Sequence, residues 1–161
     1  MNKGSKGFSL IELLIVVAII LIIAAIAIPN LLRSRIAANQ ASAVGSLRTL
    51  NTAEITYSST YNVGFTATLS YLAPPTTAGA NPTSTAAGLI DSVLALGSKS
   101  GYSFTYSPGA SDSTGRINTY SFTAVPITSS TGTNYYYTDQ SGVIRQNSTT
   151  TAGTTDSPIA G

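Results

Sequence analysis

The sequence contains no cysteine, no histidine and no tryptophan among its 161 residues. The lack of thiol and imidazole groups excludes Cys and His nucleophiles, His general bases, and the usual ligands of zinc and haem sites. It also excludes disulfide bonds as a means of stabilising the fold. A serine nucleophile would need a lysine base, and beyond residue 7 the chain contains only Lys99. We therefore expect no enzymatic activity, no cofactor and no metal site.

Charged side chains are also scarce, at 9% of the chain, with 8 Lys and Arg against 6 Asp and Glu. Lys3 and Lys6 lie in the first seven residues, and without them the remaining chain is formally neutral. No basic run with interleaved aromatic residues occurs, although such a run is typical of nucleic-acid binding. We therefore predict no specific nucleic-acid partner.

One long apolar run, residues 8–28, is the strongest signal in the sequence, and Ser9 and Glu12 are its only polar members. As a helix, these 21 residues would be roughly 31 Å long, which matches the ~30 Å hydrocarbon core of a membrane. A secretory signal peptide is disfavoured because no A-x-A-like cleavage site follows Ile28. On hydropathy alone, the run predicts an ordinary membrane anchor.

Residues 1–32, MNKGSKGFSLIELLIVVAIILIIAAIAIPNLL, resemble the start of a type IV prepilin. The matching features are a short basic leader ending in Gly7, then Phe8, Glu12, an unbroken apolar stretch and Pro29. The resemblance covers residues 1–61, and beyond them it is looser and extends to pilins and pseudopilins generally. It implies that a membrane peptidase cuts between Gly7 and Phe8 and methylates the new amino group of Phe8.

Glu12 needs an explanation, because a carboxylate at the centre of a membrane helix costs roughly 2.5 kcal/mol or more on insertion scales. Cleavage before Phe8 would create an α-amino group four residues away, and a helix brings residues at that spacing together. Self-pairing of Glu12 with this amine is one interpretation. The resemblance implies another, in which Glu12 meets the amine of a neighbouring subunit during filament assembly.

Pro29 follows the apolar run directly. It has no N–H to donate to the carbonyl of Ala25, and its ring crowds the preceding turn. The residue therefore predicts a helix kink at the membrane boundary. The resemblance adds that this region straightens or locally unwinds in a filament, and both interpretations stay open.

The helix is expected to continue to Tyr61, because residues 30–60 contain no further proline and only one glycine. Apolar residues recur at spacings of three, four and seven, which predicts a stripe that packs on a head domain. Glu54 lies on this stripe, either at its margin or hydrogen-bonded within the head, and receives no functional role. The stripe residues are Ile36, Ala43, Leu47, Leu50, Glu54, Tyr57 and Tyr61.

The composition changes at Asn62, and 34 of the last 100 residues are Ser or Thr. Alternating polar and apolar residues at 102–107 and 117–125 predict half-buried strands. A further hairpin is predicted at 134–146, so that three or four antiparallel strands lie on the helix. A short helix is predicted at about 86–96, with Leu89, Ile90, Val93 and Leu94 facing inward.

The predicted fold class is therefore α+β and type IV pilin-like, with a long N-terminal helix of about residues 8–61, apolar in its first half, packed on a small antiparallel β-sheet head. The expected segments are a leader at 1–7, a transmembrane or filament-core half-helix at 8–29, a head half-helix at 30–61, a connector with a short helix at 62–101, an antiparallel sheet at 102–146 and a polar tail at 147–161.

Three smaller features concern the C-terminal half. Asp112, Asp139 and Ser141 could supply oxygen ligands for calcium, as in some pseudopilins, but the sequence contains no dense acidic loop. Asn147-Ser148-Thr149 is an N-glycosylation sequon, a short pattern that is frequent by chance. Many pilins close this region with a disulfide, so here strand pairing must fasten it instead, and the tail is expected to be poorly ordered unless it docks.

The resemblance implies a structural subunit that polymerises into a type IV pilus on the cell surface, used for adhesion, twitching motility or a related role. The implied partners are identical subunits, the prepilin peptidase and methyltransferase, the inner-membrane assembly machinery and, before assembly, membrane lipid. The subunit would cross the inner membrane once, with a periplasmic head, and then enter an extracellular filament. The alternative is a pseudopilin of a type II secretion system, which forms a periplasmic filament.

Overall fold

The computed structural model describes residues 7–77 and 79–159. The chain divides into two compact units, Met1–Arg35 and Ile36–Gly161. Helix α1, Leu10–Tyr61, contributes residues to both units, and a five-stranded sheet lies in the second. The predicted α+β class, with one long N-terminal helix and an antiparallel sheet, is confirmed.

The second unit has its core between α1 and the sheet. The buried residues of α1 recur every three or four positions, so one side of the helix faces the strands. Leu47 and Leu50 are fully buried there, and the predicted stripe from Ala43 to Tyr57 lies in the core. At its two ends, Ile36 and Tyr61 are only partly buried. The core residues contributed by the strands are Tyr102, Phe104, Tyr120, Phe122, Ala124 and Tyr136.

The sheet has the strand order β1-β2-β3-β4-β5, and every pair is antiparallel. Three or four strands were predicted and the sheet has five, because a two-residue strand precedes the first alternating segment. Buried residues alternate with exposed residues at the start of β2 and with partly buried residues along β3, as expected for a sheet with one covered face. The strands are β1 Ser98–Lys99, β2 Tyr102–Pro108, β3 Tyr120–Pro126, β4 Tyr135–Asp139 and β5 Arg145–Asn147.

The connector contains a 3₁₀ turn at Leu69–Leu72 and a short helix, α2, at Ser92–Ala95. The predicted helix at 86–96 was therefore too long. The backbone N–H groups of residues 87–90 bond to carbonyls of residues 71–73, which holds that segment out of a helix. The carboxylate of Asp91 then accepts the Leu94 N–H at 2.9 Å and starts α2.

Burial in and just before α2 follows the prediction only in part, and Leu89 is partly buried against the core. Ile90 and Leu94 are buried, as predicted, whereas the side chain of Val93 is 52% exposed. The four residues of α2 make about one turn, so Leu94 faces the core and its neighbour Val93 points away from it. The prediction that Val93 faces inward was therefore wrong.

The residues after β5 dock on that strand. Gln146 N–H donates to the Ser157 carbonyl at 3.0 Å, and Ile159 N–H donates to the Ile144 carbonyl at 2.9 Å. Ala152 is buried. The sequence predicted a poorly ordered tail unless it docks on the head, and this segment does dock.

Leu47→Ala tests the helix face that packs on the sheet. Because Leu47 is fully buried, the substitution should lower the free energy of unfolding of the head by about 2–5 kcal/mol. Ile55→Ala is the matched control on the same helix, since Ile55 is 55% exposed and should change stability little. Chemical unfolding of both full-length variants in detergent measures the difference. Equal losses would show that the helix face is wrong.

Candidate functional site

The predicted cleavage site lies immediately before helix α1. Residues 7–9 have no regular secondary structure, and the helix begins at Leu10. Gly7 is exposed, and the side chain of Phe8 is 79% exposed. A methyl group added at Gly7 would meet no atom within 4 Å. Nothing in the described fold therefore requires glycine at this position, and cleavage after Gly7 stays a prediction.

Glu12 lies in the first turn of α1, where the helix dipole favours an anion. One of its carboxylate oxygens, Oε2, accepts the backbone N–H of Ser9 at 2.9 Å. This contact is the backbone half of a capping box, in which an acid reaches back to the residue before the helix. The sequence interpretation considered only amines as partners and missed this one, although Ser followed three residues later by Glu is its usual signal. Pairing of Glu12 with an amine stays a prediction.

The side chains of the apolar run are uncovered in the first unit. The large apolar residues between Leu10 and Leu32 are exposed by 44% to 80%. The helix also contains a window long and apolar enough to cross a membrane, and none of that window is buried in the chain itself. Together these observations fit a membrane-anchored subunit.

Pro29 lies inside α1, and the helical assignment continues on both sides of it. One turn later, the hydroxyl of Ser34 donates to the carbonyl of Asn30 at 3.0 Å. The predicted kink and the predicted unwinding in a filament both remain predictions.

Glu54 is fully buried, so of the two alternatives the hydrogen-bonded position within the head is the correct one. Its carboxylate accepts both the backbone N–H and the hydroxyl of Thr66. One turn earlier, the side chain of Asn51 donates to Thr138 and accepts from the hydroxyl of Tyr120. No pattern in the sequence indicated these contacts, because their partners lie 12 to 87 residues away.

The carboxylates considered as calcium ligands accept hydrogen bonds from residues close by in the sequence. The carboxylate of Asp112 accepts hydrogen bonds from Thr114, Arg116 and Asn118. These bonds, the Thr114 hydroxyl first, hold the pKa of Asp112 well below its usual range. The carboxylate of Asp139 accepts the Ser141 N–H at 2.9 Å. Among the residues that the structure describes, no three His, Cys, Asp or Glu side chains lie close enough to hold a metal ion.

A C-terminal clasp, Asn147 with Asp156, fastens the last segment of the chain. The amide of Asn147 donates to Asp156 Oδ1 at 2.9 Å, and the Gly153 N–H donates to Asp156 Oδ2 at 2.7 Å. Arg145 donates to the Asp156 carbonyl at 2.9 Å. The sequon nitrogen of Asn147 is thus occupied within the fold. Strand pairing was predicted to fasten this end, and the clasp adds side-chain contacts to it.

Asp156→Ala should loosen the clasp, because it removes the acceptors of the Asn147 amide and of the Gly153 N–H. We expect a local loss of about 1 kcal/mol, or roughly fivefold less protection of the Gly153 amide in hydrogen exchange. Thr155→Ala is the control, since the Thr155 side chain is exposed. Unchanged protection of Gly153 in Asp156→Ala would show that the clasp does not hold this segment.

The comparisons with known proteins concern the N-terminal features. Residues 2–28 match the family described as "Prokaryotic N-terminal methylation motif". The chain is 51% identical over 53 residues to the "Type IV major pilin protein PilA" of Myxococcus xanthus. It is 65% identical over 37 residues to the "Type IV wide pilus major component PilA4" of Thermus thermophilus.

These alignments cover 33% and 23% of this chain. The chain spans about a quarter of the length of the relatives it matches, 24% of the first and 28% of the second. No solved structure matches the chain. The chain is therefore recognised as type IV pilin-like, by its N-terminal methylation motif and by its likeness to two type IV pilus proteins.

Proposed function

We propose that this protein is a structural subunit that polymerises into a type IV pilus filament. It is made as a prepilin, cleaved after Gly7 and N-methylated on Phe8. The observation that carries this proposal is the methylation motif at residues 2–28, whose residues from Leu10 onward form the uncovered apolar start of α1. We propose no enzymatic activity, no cofactor and no metal.

The exposed apolar side chains between Leu10 and Leu32 need a cover, and we propose a different one before and after assembly. Burying a large apolar side chain stabilises a protein by about 1.5–3 kcal/mol, so more than a dozen such residues strongly favour a covered state. Lipid covers them before assembly. In the filament, the same helix segments of neighbouring subunits cover one another, and the apolar contact is retained when a subunit leaves the membrane.

In this proposal, the charge of Glu12 makes docking of a subunit onto the filament favourable. Within the part of the chain that the structure describes, its carboxylate accepts the Ser9 N–H and forms no ion pair. A neighbouring subunit whose first residue is methylated Phe8 carries a basic amine, and pairing with it relieves the unfavourable burial of the charge. Subunit docking is thereby favoured over free diffusion in the membrane.

The location and the partners follow from this sequence of events. Before assembly, the subunit crosses the inner membrane once, with residues 36–161 on the periplasmic side, and afterwards it belongs to an extracellular filament. Its partners are other copies of itself, the prepilin peptidase and methyltransferase, membrane lipid and the inner-membrane assembly machinery. Adhesion and twitching motility are the roles proposed for the filament. A pseudopilin of a type II secretion system has no observation in its favour, because both relatives carry pilus names.

Electron microscopy of cells with and without this chain tests the proposal. Surface filaments should be present with the wild-type chain, absent without it and restored by complementation. Filaments that persist unchanged after deletion, and that contain none of this protein, would contradict the proposal.

A further inference from the structure

Glu54 is an acid buried inside the head, and no cation among the described residues pairs with it. It lies on the side of α1 that faces the sheet and has no exposed surface. Among the described residues, Lys99 and Asp91 form an ion pair, and both side chains are far from complete burial. Glu54 forms no ion pair with a described residue. Isolated carboxylates are strongly disfavoured in such places, so the group needs a physical account.

The chain after α1 turns back to reach Glu54. Asn62 and Gly64 both have positive φ, 57° and 88°, which reverses the chain direction just after the helix ends. A side chain at Gly64 would come within 2.5 Å of the Ile117 carbonyl oxygen, so only glycine fits there. The turn brings Thr66 against Glu54, with the N–H at 3.0 Å from Oε2 and the hydroxyl at 2.6 Å from Oε1.

The groups that face Glu54 from the neighbouring elements are phenols. Tyr57 lies on α1 itself, Tyr106 on β2 and Tyr120 on β3. The hydroxyl of Tyr106 donates to the Thr66 carbonyl at 2.6 Å, so it holds the segment that carries the partner of Glu54. Burial raises the pKa of Glu54, and the hydrogen bonds from Thr66 oppose this only in part.

We propose that Glu54 and Thr66 form a pH-sensitive latch that joins α1 to the segment 62–68. The latch is most stable while the carboxyl is protonated, because a neutral carboxyl can remain in the apolar core. Its carbonyl oxygen can accept the Thr66 N–H, and its hydroxyl can donate to the Thr66 hydroxyl oxygen in place of the reverse bond. Ionisation places an uncompensated charge there and weakens the junction between the helix and the head. The latch belongs to the head alone and does not depend on filament assembly.

The sign of the pH dependence follows from the direction of the pKa shift. Below the ordinary pKa of 4.5, the folded and unfolded chains both carry a protonated Glu54, and the stabilisation is complete. Above it the unfolded chain ionises first, so the stability of the head falls as the pH rises, by up to about tenfold in the folding equilibrium per pH unit. The fall ends once the folded carboxyl has also ionised.

The composition makes this dependence easy to isolate. The chain has no histidine and no cysteine, so between about pH 5 and 9 only a shifted acid and the chain's α-amino group titrate. Burial raises the pKa of Tyr102 to about 12, and the pKa values of Tyr106 and Tyr120 shift in the same direction. The pKa of Asp112 shifts the opposite way, so its contribution is confined to acidic pH.

The test uses the full-length chain in neutral detergent micelles. All nine tyrosines lie at residues 57–137, so the near-UV circular dichroism of tyrosine reports unfolding of the head and not of the apolar helix half. The guanidinium midpoint of the wild type should decline as the pH rises from 5, and Glu54→Gln should abolish the decline. Asp139→Asn, an acid on the sheet, should retain it. A flat wild-type profile, or a decline that persists in Glu54→Gln, would overturn the latch.

Infrared spectroscopy keeps the test valid if Glu54→Gln does not fold. The wild type should show the carbonyl band of a protonated carboxyl above pH 5, where exposed acids are ionised. Thr66→Val removes the hydroxyl donor that favours the carboxylate, so the band should persist to higher pH in this variant. The absence of the band in the wild type, or an unchanged titration in a folded Thr66→Val variant, would contradict the proposal.

Discussion

Glu12→Gln subunits should accumulate in the membrane as mature protein in normal amount and build few or no filaments. The substitution keeps the shape of the side chain and its amide oxygen can still accept the Ser9 N–H, so the start of α1 is preserved. It removes the charge, and with it both the penalty in lipid and the attraction to a neighbour's amine. Filaments in the sheared surface fraction and mature protein in the membrane fraction measure the two effects separately.

Two further substitutions separate the charge of Glu12 from its capping contact. Glu12→Asp keeps the charge with a shorter reach, so assembly should be intermediate. Glu12→Ala loses the charge and the acceptor, and should lose filaments as completely as Glu12→Gln does. Filament growth at the wild-type rate in Glu12→Gln would show that pairing between subunits is wrong. An uncut precursor would show that Glu12 serves the peptidase.

Gly7→Val should leave an unprocessed, membrane-bound precursor and no filaments. A peptidase binds the extended chain closely at the bond it cuts, and a branched side chain next to that bond obstructs this approach. The fold should not change, because the space around Gly7 is open. Immunoblots of membrane fractions distinguish precursor from mature chain by size.

Gly45→Ala is the matched control for this substitution. Gly45 also has open space around it, but it lies in α1 far from the cut, so its variant should be processed normally. Complete maturation of Gly7→Val would contradict cleavage after Gly7, whether or not filaments form.

The sequence predicted those parts of the fold that depend on periodic burial. The end of α1 at Tyr61 and the stripe through Leu47 and Leu50 follow from spacings that place apolar residues on one side of a helix. The alternation in β2 and β3 follows from the two-residue repeat of a strand. Such patterns are local, so one sequence is enough to read them.

The parts that were missed depend on contacts between distant residues. The hydrogen-bonded position of Glu54 was one of two predicted alternatives, but its partner Thr66 was not predicted, because the contact requires a turn at Asn62 and Gly64. The length of α2 depends on backbone bonds to the residues around Leu72, which compete with helix formation. Neither contact could be predicted from the spacing of apolar residues in a helix or a strand.

At the N-terminus, the methylation motif predicted the residues of interest but not the contacts of Glu12. The motif identifies Gly7, Phe8 and Glu12 by type and spacing, and residues 2–28 carry it. The bond from the Ser9 N–H to Glu12 is local and could have been predicted from the capping pattern. Pairing of Glu12 with an amine stays a prediction, because the proposed amine would form only on cleavage and would belong either to the same chain or to its neighbour.

Mass spectrometry of filaments sheared from the cell surface tests the proposed function most directly. The chain should be a main component of this fraction, and its first residue should be N-methylated Phe8. A surface fraction without this chain, or one in which the chain retains Met1, would contradict a processed filament subunit.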